Sequence, residues 1–113
     1  MEFKLSSLDQ ALEFANYQST LSQQRKLIRQ RFEDNCVVAF SGGLFKVTPE
    51  FIAGTAFLTS TWVIDSNGNP INVGPIKPFI DQCIKTYNAA LIDYGLAHDQ
   101  IKKQRSVSSL VGL

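Results

Sequence analysis

Two long stretches with helical spacing bracket a middle that switches between extended and turn-forming residues. From residue 7 to about residue 35 the chain has neither glycine nor proline. Leu8, Ala11, Leu12 and Ala15 open an apolar stripe, and Phe14, Leu21 and Ile28 continue at seven-residue spacing with Tyr17 and Phe32 beside them. That is the periodicity of a helix covered on one side. Ser7-Leu8-Asp9-Gln10 has the form of a capping box at its start, with Ser7 as N-cap and Gln10 three residues on. The second stretch opens at Gly74-Pro75 and Pro78, prolines being tolerated in a first turn and nowhere deeper. Its stripe is clearer: Ile76, Ile80, Cys83, Ile84, Tyr87, Leu91, Tyr94, Ala97 and Ile101. Gly95 weakens this helix by roughly 1 kcal/mol relative to alanine.

Between them the texture changes. Cys36-Val37-Val38-Ala39-Phe40, a Ser41-Gly42-Gly43 turn and Leu44-Phe45-Lys46-Val47 predict a β-hairpin. Thr48-Pro49-Glu50 predicts a helix start, with threonine as cap, proline at the first helical position and an acid near the positive helix end. A short helix of about ten residues follows. Thr61-Trp62-Val63-Ile64 and Ile71-Asn72-Val73 then flank Asp65-Ser66-Asn67-Gly68-Asn69-Pro70; Asn-Gly supplies the positive φ angles of a tight turn, so a second hairpin is expected.

The predicted fold is therefore α+β: two long antiparallel helices flanking two β-hairpins, with a short intervening helix. Residues 1–105 form this single domain, and residues 106–113 are an apolar tail without helical strength. Each long helix runs about 40 Å at ~1.5 Å per residue. Charge favours the antiparallel arrangement: Asp9 and Glu13 open the first helix while Lys102, Lys103 and Arg105 close the last, and Arg25, Lys26, Arg29 and Arg31 close the first while Asp81 lies early in the last.

Two resemblances follow from these residues. The element order, with Ser41-Gly42-Gly43-Leu44-Phe45-Lys46 and Asn72-Val73 running into a helix, is similar to the alpha-class subunits of prefoldin, which implies a chaperone-like helical hairpin. Ala11-Leu12-Glu13-Phe14-Ala15-Asn16-Tyr17, Phe45-Lys46-Val47-Thr48-Pro49-Glu50 and Lys103-Gln104-Arg105-Ser106-Val107 look like small proteins of contractile-tailed bacteriophages. That likeness implies a viral setting and carries over no functional residue.

Composition narrows the field. One domain fits 113 residues, and a formal net charge of +1 gives no global field toward nucleic acid or an acidic membrane. The longest nearly apolar run, residues 51–58, falls far short of the roughly 18 residues a membrane span needs. The start carries no long apolar segment, so the host cytoplasm or a virion is the expected location. Cys36 and Cys83 fit no metal or disulfide framework and read as reduced core thiols.

No catalytic group is assembled by this sequence. His98, the only histidine, reads as a helix-surface residue, since Asp99 points about 100° away from it on a helix of ~3.6 residues per turn. The acidic turn 65–69 lacks the terminal glutamate of a calcium loop. Ser41-Gly42-Gly43 leads into a strand where a phosphate loop requires a helix. No cofactor, metal or enzymatic activity is expected.

The expectation is a protein-interaction or assembly protein, a bacteriophage virion component or assembly factor, with itself or phage structural proteins as partners. Its candidate contacts are the tail residues Val107, Leu110, Val111 and Leu113, the leading Phe3 and Leu5, and the hairpin edges. Tyr87, Tyr94 and Trp62 are further anchors if they are not core. The alternative is a nucleic-acid accessory protein using Arg25, Lys26, Arg29 and Arg31, of which Arg25 and Arg29 share a helix face.

Overall fold

In the computed structural model, residues 7–110 are described, with side chains from Leu8 to Gln104. The element order is α1 (Ser7–Asn35), β1 (Val37–Phe40), β2 (Gly43–Lys46), α2 (Pro49–Ala56), β3 (Trp62–Ile64), β4 (Pro70–Asn72) and α3 (Ile76–Leu110). The α+β arrangement read from the sequence is thus the one observed. Each hairpin is its own two-stranded antiparallel sheet.

The local chemistry explains the boundaries. Ser41 and Gly42 both have positive φ, 50° and 84°, as a two-residue hairpin turn of matching twist requires. Gly43, expected in the turn, is the first residue of β2 and pairs with Phe40. A Cβ added there would meet Ile71 Cγ1 at 2.6 Å, so Gly43 lets the second hairpin press against the first. Thr48 caps α2 by accepting a 3.0 Å bond from Phe51 N–H, and Pro49 follows at the first helical position. In the second turn Asp65 Oδ1 accepts from the backbone N–H of Asn67 and Asn69 at 3.0 and 2.8 Å. Ser66 ties that turn to the first hairpin: its N–H and its Oγ both donate to Leu44 O, at 2.8 and 2.7 Å.

Most of the core lies at one end. Val38, Phe45, Val47, Val63, Val73, Phe79, Ile80 and Cys83 form one buried cluster. Phe79 is its hub, with ring centroids 4.8 Å from Phe45, 5.1 Å from Phe40 and 6.2 Å from Phe51. Those rings come from β2, β1 and α2, so one side chain of the first turn of α3 joins three elements.

From this head the two long helices run out together. Phe32 stacks on Tyr94 at 4.9 Å and meets Tyr87 edge-on at 5.9 Å, Arg31 reaches Asp93, and Gln24 and Ile28 line a groove with Ala97 and Ile101. Rising numbers on α1 meet falling numbers on α3, so the pair is antiparallel. Asp93, not the expected Asp81, is the carboxylate that Arg31 meets. The molecule measures 76 × 24 × 19 Å with a radius of gyration of 21.7 Å, against roughly 13 Å for a compact domain of this length.

Coverage fades along α1. Leu21 is buried, but Leu8, Leu12 and Phe14 are 69%, 54% and 65% exposed, so the stripe expected to lie under α3 is only half used. α3 continues to Leu110, five residues past the expected end at Arg105. Residues 106–110 hold neither glycine nor proline, and serine and valine cost a helix only tenths of a kcal/mol, about 0.5 each.

Two stability changes follow. Phe79→Ala should lower unfolding free energy by about 3–5 kcal/mol in a urea titration, while Leu12→Ala should change it by less than about 0.5 kcal/mol; equal losses would contradict a core concentrated at the head. Gly43→Ala should cost about 1–3 kcal/mol by overpacking against Ile71, and a neutral result would show that the two hairpins slide apart freely.

Candidate functional site

Where α1 ends, the chain turns into β1 while α2 begins alongside, and these elements leave an open cleft of about 500 Å³. Phe32, Cys36, Val37, Val47 and Tyr87 form its apolar walls. Its rim carries Arg29 and Lys46 against Glu33, Asp34 and Glu50, a mixed set without one dominant sign. Burial pushes the Cys36 thiol up, and the Glu33 carboxylate beside it adds to that rise. Cys83 is enclosed in the core, and burial pushes it up to about 11. Both are free thiols, so the reading of reduced core cysteines stands.

All four basic residues singled out on α1 are exposed; Arg31 also meets Asp93 at 2.9 Å and Arg29 meets Glu33 at 3.4 Å. With side chains about half exposed, the Arg31–Asp93 pair contributes no more than about 1 kcal/mol; it orients the helices more than it stabilises them. Gln30 donates to Asp34 at 2.9 Å, so acids are interleaved with the bases at this end of α1.

The remaining candidates fall into place individually. His98 is exposed on α3, edge-on to Tyr94 at 6.4 Å. The Asp65 carboxylate is occupied by the backbone of its own turn. Among the described residues no group of three or more His, Cys, Asp or Glu side chains is placed to hold a metal ion. No described helix is long and apolar enough to cross a membrane. Phe3, Leu5, Val111 and Leu113, and the side chains of Val107 and Leu110, lie outside the described residues.

What the fold does present is exposed apolar surface in two regions. On the head, Leu44, Phe57, Leu58, Trp62 and Ile64 stand out of the hairpins and the segment after α2; Phe57 is 86% and Ile64 67% exposed. Trp62 and Ile64 alternate with buried Val63, so the strand period itself aims them outward. On the helices, Leu27, Ile84, Leu91, Ile92 and Leu96 join Leu8, Leu12 and Phe14 as exposed residues. Tyr87 and Tyr94 are half-buried against Phe32.

Sequence reasoning singled out Trp62, while Tyr87 and Tyr94, its other candidate anchors, are half-buried in the helix seam; it missed Phe57, Leu27, Ile92 and Leu96. Their signal was available. Ile92 and Leu96 are large apolar residues that fall off the three-four stripe of their own helix, so burying the stripe leaves them outside. Compared with known proteins, the chain matches no family model, no curated sequence and no solved structure.

The thiol at the core gives a pH test. The folded chain holds Cys83 protonated up to about 11, against an ordinary value of 9.0, so its contribution to stability is complete below pH 9 and is lost as pH climbs toward 11. Urea titrations over that interval should show a steeper decline for the native chain than for Cys83→Ala, and parallel curves would mean that the thiol ionises freely in the folded state.

Proposed function

We propose that this chain is a non-enzymatic protein-interaction or assembly protein that works through its uncovered apolar surfaces. The observation that carries the reading is the exposure of Leu44, Trp62 and Ile64 on the hairpins and of Phe57 and Leu58 in the segment after α2. Large apolar side chains left in water in such number on a small chain are the kind of surface that marks protein contacts. Trp62 suits the centre of such a contact, because a rigid aromatic ring brings much buried area at little entropic cost. Strand edges outside the Ser66–Leu44 contact add backbone groups for a partner chain.

The likeness to small phage proteins supports a virion component or assembly factor as the setting, and the prefoldin-like element order supports an assembly role of chaperone type. Phage structural proteins, or further copies of the chain, are then the natural partners. The alternative of a nucleic-acid accessory protein draws less support, since Arg29 and Arg31 are already engaged by carboxylates.

The test uses the purified chain and an apolar fluorescent dye, anilinonaphthalene sulfonate, with light scattering for mass. The native chain should bind the dye through these side chains or bury them in an assembly. The double variant Trp62→Ser, Ile64→Thr should keep its helical circular dichroism while losing most of that dye binding or assembly. A stable monomer that binds no dye would defeat the reading.

A further inference from the structure

We propose that the chain pairs with a second copy of itself through the outer face of α3, the two helices antiparallel and Ile92 on the two-fold axis. The inference deepens the interaction reading, on which it rests, by naming the occupant of one surface.

The outer face is defined by what lies opposite it. Cys83, Ala90 and Ile101 turn toward the core and α1 and are buried. At ~3.6 residues per turn, Asp81, Lys85, Asn88, Ile92, Leu96, Asp99 and Lys103 form a strip on the reverse side, and all seven are exposed. Ile92 and Leu96 are 64% and 65% exposed, unpartnered in the chain and off its packing stripe.

The strip is palindromic in position and complementary in charge. Asn88 and Leu96 lie four residues either side of Ile92, Lys85 and Asp99 seven, and Asp81 and Lys103 eleven. In an antiparallel pair centred on Ile92, each residue faces the one at the same distance on the other side. Lys85 then faces Asp99 of the second copy, and Asp81 faces its Lys103. Two-fold symmetry repeats each pair, because an isologous contact presents the same patch from both sides. A parallel pair would set every charge against its own kind.

A plainer account of the charges is available. Asp81 and Lys85, like Asp99 and Lys103, are four apart with the acid first, the favourable order for a pair within one helix. Neither closes: among the described residues Asp81, Lys85, Asp99 and Lys103 form no ion pair, whereas Arg29–Glu33 and Arg31–Asp93 do. That account also leaves Ile92 and Leu96 unexplained.

Space at the axis fits a second helix. Gly95 lies one turn from Ile92, and a Cβ placed on it meets nothing within 4 Å. Ala89 on the other flank is likewise small and exposed. With only two large apolar side chains per copy, the contact is smaller than a standard stable interface. The dimer should therefore be weak, concentration-dependent and loosened by salt, its charges setting register more than affinity.

The experiment is sedimentation and light scattering over two orders of magnitude in concentration, with oxidative cross-linking of single-cysteine additions. Ile92→Cys should cross-link to itself, while Leu91→Cys, also exposed but turned about 100° away on the helix, should not. Lys85→Glu should weaken the dimer roughly tenfold, a change of about 1.4 kcal/mol. Adding Asp99→Lys to that variant should restore it, since the swapped charges again face opposites. A chain that remains monomeric throughout, equal cross-linking at both positions, or a dimer indifferent to Lys85→Glu would overturn the pairing. A monomer that still binds dye through Trp62 and Ile64 would overturn the α3 contact alone and leave the interaction reading standing.

Discussion

The head of this molecule is hung from Phe79. It sits in the first turn of α3 and packs against Phe40 of β1, Phe45 of β2 and Phe51 of α2, so the last helix, the first hairpin and the short helix share one anchor. A chain of 113 residues has enough apolar material for one core of modest size. Here that core is placed at the junction of the hairpins with the helix ends. The direction of α3 as it leaves the head is set there, and α1, which enters the head through Asn35 and Cys36, must lie beside it.

Beyond the head, each helix can cover only one side of the other. The seam is narrow: Leu21, Ala90 and Ile101 are buried, with the Phe32, Tyr87 and Tyr94 rings sealing its head-proximal end. Two helices alone leave about half of each surface to solvent, and any large apolar residue on those halves stays exposed. Leu8, Leu12, Leu27, Ile92 and Leu96 are the result. The functional reading and the fold thus have a common origin, because a rod-shaped domain cannot enclose what its helices carry on their outer sides.

Much of this was legible in the residues themselves. Thr48-Pro49 marks the start of α2 to the residue, and Asn67-Gly68 places the second turn, because both depend on local stereochemistry that no tertiary contact has to supply. The two long helices follow from uninterrupted periodicity. Phe79 was harder to see: it directly follows Pro78 in a segment that reads as a cap, although its spacing from Ile76 and Cys83 puts it on the core stripe. The choice of Asp93 over Asp81 was beyond the sequence, since charges fix the relative direction of two helices but not how far one slides along the other. The exposed set on the head was half visible. Strand alternation marks Trp62 and Ile64 as a pair, yet which side of so short a strand faces water is decided by the other hairpin, through Gly43 against Ile71.

The one-ended core also shapes how the molecule moves. Buried side chains crowd the hairpin end and thin out toward Leu8, so the free energy needed to expose a backbone amide falls steadily along α1 from Asn35 to Ser7. The head-distal turns of α1 are therefore the first to open, while the aromatic anchor stays intact. Such a gradient gives the rod a fixed root at the hairpins and a looser tip, whose turns can fray without unfolding the head.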